Sequence, residues 1–153
     1  MEPKNVHAQI YFCFKTTTTL NKLHEIADQA VDSVYNAAKE LKLDVTGPIQ
    51  FIYFNCSNDR DKPFQLFIAL PVKEMLPLHN SLFSYYESDA FACYTHIHPG
   101  DISVIGETYA GLYQELYKNG IQPGNQIREV YTKFVDVVSS ENITEIQIGI
   151  EEA

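Results

Sequence analysis

The chain has 153 residues, a net charge of −9, three cysteines and no tryptophan. That length suits one domain, large enough to bury about two-thirds of the surface its unfolded form exposes, so neither a metal nor a disulfide is required to hold it. The acidity, with lysines and arginines scattered rather than clustered, excludes the phosphate-neutralising face of a direct nucleic-acid binder, and no apolar run reaches the length of a membrane span.

In chain order, alternation predicts a strand over His7–Thr16, with Phe12 and Phe14 on the face opposite Tyr11 and Cys13. Leu20, Leu23, Ala27, Ala30, Val34 and Leu41 then recur at the three-four spacing of an amphipathic helix, predicted over Thr19–Leu41 with Thr18 or Thr19 as its cap. Gly47-Pro48 opens a strand over Pro48–Cys56, and another follows over Phe64–Val72. Lys73–Ala90 reads as a connector whose later part, Leu82–Glu87, is an extra strand.

The same order of elements then repeats. A strand is predicted over Phe91–Pro99, a helix over Ile102–Asn119, and strands over Ile127–Val135 and Ile143–Ile150. Asp101 is the expected cap of the second helix, and Asn119-Gly120 its stop. Gly106 and Gly111 inside it cost stability relative to alanine, and are expected to admit close packing or a ligand. The fold class is therefore α+β: two strand–helix–strand–strand modules forming a curved antiparallel sheet, with two main helices and a groove between the halves.

That groove is the candidate site. Glu129 and Tyr131 lie two apart on one strand and share a face, while Arg128 and Val130 take the other. By the duplication, Phe51 corresponds to Glu129 and Tyr53 to Tyr131, which sets a carboxylate among rings. Such an acid is costly to bury without compensation, and a cation supplies it, aided by cation–π attraction of about 0.5–2 kcal/mol per ring. Spacing alone favours a plainer arrangement in which Glu129 pairs with Arg128, a lysine or water.

Tyr94, His96 and His98 share one face of their strand. Two histidines at this spacing could ligate a metal, but no third ligand is visible, and His98 is expected to bond the Pro99-Gly100-Asp101 turn. Neither a nucleophile elbow nor a phosphate-cradling glycine loop is present. No metal and no cofactor is expected. Cys13, Cys56 and Cys93 read as reduced thiols inside strands, which with the lack of a leader pattern points to a cytoplasmic protein.

Several stretches carry a family resemblance: His98-Pro99-Gly100, Tyr109-Ala110-Gly111-Leu112-Tyr113, Arg128-Glu129-Val130-Tyr131 and Thr144-Glu145-Ile146-Gln147-Ile148-Gly149-Ile150. With Gly47-Pro48 and Tyr53 in the first half, they resemble the GyrI-like small-molecule-binding family, which includes the effector-binding domains of AraC-type and MerR-type multidrug regulators. The resemblance implies one such domain over residues 1–153, with halves at about 5–72 and 82–151. It implies that Glu129 is the acid that recognises cationic drugs and that Tyr131 accompanies it. Some similar proteins hydrolyse strained alkylators with a pocket glutamate and tyrosine, and one inhibits gyrase by protein contact. The chain departs from the pattern at Ile102, where a tyrosine is usual, and at Phe134-Val135-Asp136-Val137, where an Asp-Pro turn is usual; a longer strand or an altered loop is expected there.

The expected function is a stand-alone binding protein for small hydrophobic, including cationic, molecules, through Glu129, Tyr131, Phe51, Tyr53, Tyr94, His96, Tyr109 and Tyr113. The alternatives are a hydrolase of reactive electrophiles, with Glu129 and Tyr131 as catalytic candidates, and a gyrase-inhibitor-like interaction protein. Exposed sheet edges leave room for a homodimer or a partner protein.

Overall fold

The computed structural model describes residues 1–80 and 82–151. Ser81, within the expected connector, and Glu152 and Ala153, within the expected domain, lie outside the described residues.

The first half consists of β1 (Glu2–Val6), β2 (Gln9–Thr18), α1 (Leu23–Glu40), β3 (Gln50–Phe54) and β4 (Phe64–Val72). The second consists of β5 (Ser84–Ser88), β6 (Phe91–Pro99), α2 (Ile105–Lys118), β7 (Pro123–Lys133) and β8 (Ile143–Ile150). A single turn of 3₁₀ helix precedes each long helix, at Leu20–Lys22 and Ile102–Val104. All strands join one antiparallel sheet in the order β1-β6-β8-β7-β3-β4-β2-β5. The duplicated α+β architecture is as the sequence indicates, and β4, β6 and β8 have the expected bounds.

The sheet cannot be flat. β1 and β2 stand six places apart in its order, which on a flat sheet would separate them by about 29 Å at ~4.8 Å per strand. Only His7 and Ala8 join them, a link that reaches about 10 Å. The pairing of Val6 with Phe91 continues without a shift into Gln9 with Ser88, so β1–β2 and β5–β6 are two long bent strands running side by side. This ribbon draws the two ends of the sheet together and curls it.

The curl creates two distinct faces. On one, α1 lies over β2 and β4, burying Ala30, Val34 and Ala38 against Phe12, Leu66, Ile68 and Leu70. On the same face α2 sets Leu112 and Leu116 on Ile146 and Ile148, and each such side chain contributes roughly 1.5–3 kcal/mol by leaving water. Among the described residues, the other face carries no helix. Even so, Tyr11, Cys13, Ile52 and Ala69 there are all 0 % exposed, because the sheet covers them by bending around them.

Several expectations need correction. Neither Thr18 nor Thr19 caps a helix: Thr18 ends β2 and Thr19 makes no side-chain cap bond. Asp101 does cap, accepting from Ser103 N. A methyl group added at Gly106 or Gly111 would meet nothing within 4 Å, so neither glycine serves close packing. Cys56 lies beyond β3 and is half-buried, whereas Cys13 and Cys93 are buried in strands. At Phe134–Val137, of the longer strand or altered loop expected, the structure has the loop; Asn142 holds it, accepting from Val135 N at 2.9 Å and donating to Asp136 O at 2.6 Å.

Candidate functional site

One row of cross-strand neighbours traverses the helix-bearing face: Phe14, Ile68, Phe51, Glu129, Ile146 and His96. Directly opposed residues share a face. The row is apolar under α1, and Ile146 lies under α2. Glu129 sits near its middle, on β7 in register with Phe51 of β3, where the two modules meet. Period-two alternation on β7 places Tyr131 beside Glu129 and turns Arg128 away.

Glu129 is 5 % exposed. Its Oε1 accepts from the Tyr53 hydroxyl at 2.8 Å and from the Tyr131 hydroxyl at 2.6 Å. Its Oε2 accepts from the Tyr109 hydroxyl at 2.7 Å. The three donors come from three elements: β3, β7 and α2. Tyr109 reaches down because Leu112 and Leu116, one and two turns on, anchor α2 to β8. Hydrogen bonds to a charged acceptor are about twice as strong as neutral ones.

Among the rings around this carboxylate, Phe51 meets Tyr131 edge to face at 5.0 Å with an interplanar angle of 83°, and Tyr53 meets Phe64 tilted at 43° and 5.6 Å. Tyr109, Tyr113 and Tyr117 stack down α2 with centroids 6.5 and 6.4 Å apart. The ladder leads from the buried acid to the surface, where Tyr117 is 60 % exposed.

Burial, and then the charge of Glu129, push the hydroxyls of Tyr53, Tyr109 and Tyr131 well above the ordinary phenol value. The rings of Tyr109 and Tyr131 are partly exposed, but their hydroxyl ends are tucked against the acid. All three remain donors at neutral pH and cannot act as bases. Cys56, near the same acid, is pushed up to about 11 by burial and then by Glu129.

The plainer pairing favoured by spacing is overturned. Among the described residues, the ion pairs are Lys4 with Glu145 and Lys133 with Glu141, and Glu129 has no cationic partner. Arg128 is 1 % exposed on the opposite face. There its guanidinium lies 4.0 Å from the centroid of Phe91, donates to Gln126 at 2.7 Å and donates to the Tyr11 hydroxyl at 3.1 Å. Gly149 makes room for this: a side chain there would meet Phe91 at 2.8 Å and the Gln126 carbonyl at 2.7 Å.

Of the sequence-derived candidates, the structure gathers Glu129, Tyr131, Phe51, Tyr53 and Tyr109, and stacks Tyr113 on Tyr109. Tyr94 and His96 share the face but stand on β6, two strands from β7, with Tyr94 packed under α2. Both nitrogens of His98 are engaged, with Thr108 and with the Asp101 carbonyl, each at 2.8 Å. No group of three or more residues able to hold a metal is present among the described residues. Phe64 and Cys56 were not legible as site neighbours, because each lies near the end of a strand in the other module. Two surface cavities, of about 260 and 350 Å³, lie away from Glu129, whose own tyrosines close over it.

No protein-family profile and no curated protein matches the chain. Solved structures do. The EcmrR chain in an EcmrR–DNA complex superposes with a TM-score of 0.82 at 18 % identity, over 99 % of this chain and 57 % of that one. The EcmrR C-terminal domain alone gives 0.80 at 18 % identity, over 99 % and 96 %. SAV2435 bound to tetraphenylphosphonium gives 0.68 at 11 % identity, over 98 % and 93 %. A hydrolase from Listeria innocua gives 0.66 at 14 % identity, over 98 % and 92 %. At these identities the likeness is one of fold: the chain shares the fold of the EcmrR C-terminal domain and of SAV2435. It spans little more than half of the EcmrR chain seen on DNA. No described helix is long and apolar enough to cross a membrane.

Proposed function

We propose that this chain is a receptor for small hydrophobic cations, with Glu129 as the recognising charge. The observation that carries the reading is a buried carboxylate held by three tyrosine hydroxyls and, among the described residues, by no cation. Burying a lone charge is expensive. The phenols lessen that cost without cancelling the charge, so the site keeps its preference for a positive ligand. The rings supply apolar faces that make loose demands on ligand shape. A protein of the same fold has been solved with a hydrophobic cation, tetraphenylphosphonium, bound.

In the closed arrangement the hydroxyls occupy the carboxylate. A cation therefore enters by displacing at least one, most readily Tyr109 or Tyr131, whose rings are partly exposed. The net charge of −9 adds a weak attraction for cations at long range. The chain's acidity leaves direct contact with nucleic acid to some other protein or segment.

A hydrolase reading has support from one arrangement. Glu129 lies beside phenols that stay protonated, as general acid–base chemistry on an electrophile would use, and fold neighbours include a hydrolase from Listeria innocua. A thermal-shift titration with tetraphenylphosphonium and the neutral triphenylphosphine oxide, with mass analysis of the recovered ligand, tests the receptor reading. The receptor reading expects stabilisation by the cation and its recovery unchanged. Stabilisation by the neutral compound alone contradicts it.

A further inference from the structure

On the face of the sheet away from Glu129, a cavity of about 260 Å³ opens where β1 turns into β2, lined by Lys4, His7, Gln9, Gln50, Glu145 and Gln147, among others. Gln147 is 4 % exposed. Its Nε2 donates to Glu145 Oε2 at 2.6 Å, which turns its Oε1 away from that carboxylate, and this buried Oε1 has no donor. Gln9 Oε1, on the same cavity, is also buried without a donor. A buried acceptor left unsatisfied costs about 1–3 kcal/mol, and native folds leave few of them.

Two nearby donors, Lys4 on the cavity and Thr95 beside it, are turned to Glu145. Lys4 Nζ and Thr95 Oγ1 both donate to Glu145 Oε2, at 2.8 and 2.9 Å. That oxygen thus has three donors, whereas Glu145 Oε1 has none among the described residues. Burial raises the Glu145 carboxyl, but these bonds, that from Lys4 foremost, outweigh it and hold it below its ordinary value, so it is charged at neutral pH. The cavity far exceeds the ~10–15 Å³ that one water needs and falls short of the roughly 300–1,000 Å³ of a drug-sized pocket. No phenylalanine or tyrosine lines it.

We propose that this cavity is a second ligand site, for a small primary ammonium whose N–H groups are shared among Gln9 Oε1, Gln147 Oε1 and the free oxygen of Glu145. Its chemistry is the converse of the Glu129 site: it demands N–H donors and offers no phenyl or phenol faces. The two sites back onto opposite faces of the same strands, with Glu129 and Val130 adjacent on β7 and Ile146 and Gln147 adjacent on β8.

The test is a titration of the ¹⁵N-labelled 153-residue chain carrying Glu129→Gln with n-propylammonium, using tetramethylammonium at equal ionic strength as the control. The expected result is a saturable shift of the Gln9, Glu145 and Gln147 amides with n-propylammonium only. Binding should weaken by about tenfold or more in Gln147→Leu and in Gln9→Ala; the second variant, at the half-buried start of β2, retains the core if the first fails to fold. Equal shifts from both cations, an absence of saturable shifts, or undiminished affinity in Gln9→Ala would mean a water-filled cavity and overturn the proposal. Because the first site is disabled throughout, neither outcome bears on the Glu129 reading.

Discussion

Glu129→Gln changes the charge at the centre of the site while nearly conserving its shape. A bulky monocation held about 5 Å from the carboxylate, at an effective dielectric of about 20, gains roughly 3 kcal/mol from the charge. Glutamine removes that gain, which corresponds to a loss of more than 100-fold in affinity. A neutral ligand of similar bulk retains the same aromatic walls and should change by no more than about threefold. In a thermal melt, ligand at 100 times Kd stabilises the wild-type protein by about 2.7 kcal/mol, or about 5–11 °C for a chain of this size. At the same concentration, a 100-fold weaker variant gains only about 0.4 kcal/mol, close to 1 °C. The unliganded melt of the variant serves as the control for folding. A ratio of cation to neutral affinity that stays within threefold of wild type would refute the role of the charge.

Tyr131→Phe removes one hydrogen bond to a buried carboxylate, so the unliganded protein should lose about 1.5–3 kcal/mol in denaturant unfolding; a loss below about 0.5 kcal/mol contradicts the bond. The raised hydroxyls of Tyr53, Tyr109 and Tyr131 keep their protons when unfolded phenols release theirs near pH 10. Above that pH the unfolded state binds fewer protons than the native one, so stability, full below about pH 10, should fall as pH rises further. Tyrosinate absorbance should show a late phase coincident with unfolding; complete ionisation before unfolding would contradict the burial. Gly149→Ala should cost more than about 2 kcal/mol by forcing Phe91 off Arg128, whereas Gly106→Ala and Gly111→Ala should each gain up to about 1 kcal/mol, being helical and unobstructed. Chemical denaturation ranks the three, and a neutral Gly149→Ala contradicts the packing. If the site hydrolyses electrophiles, turnover followed by mass analysis should vanish with Glu129→Gln; surviving turnover removes Glu129 from that role.

Much of the fold was legible because buried strands and amphipathic helices impose their periods locally. β4, β6 and β8 alternate or run apolar between clear punctuation, and both helices carry unbroken stripes. β1 was not legible: Glu2–Val6 is mostly exposed, and only its pairing with β6 makes it a strand. The bend at His7-Ala8 is likewise a product of closure, with no local signal in the sequence. Thr19 looked like a cap because hydroxyls favour that position, but the chain enters α1 through a 3₁₀ turn instead. Glu129, Tyr131 and Tyr53 were readable from period two and from the duplication. What spacing could not decide was whether Arg128 neutralises Glu129; the sheet separates them, and Phe91, brought close by Gly149, occupies the guanidinium.

The most direct measurement is an experimental structure of the protein grown with tetraphenylphosphonium. The cation should lie on the helix-bearing face, its phosphorus within about 6 Å of the Glu129 carboxylate, with at least one of the Tyr109 and Tyr131 hydroxyls moved off the acid. A cation seated on the opposite face, or a Glu129 still holding all three phenols with the ligand elsewhere, would contradict the account.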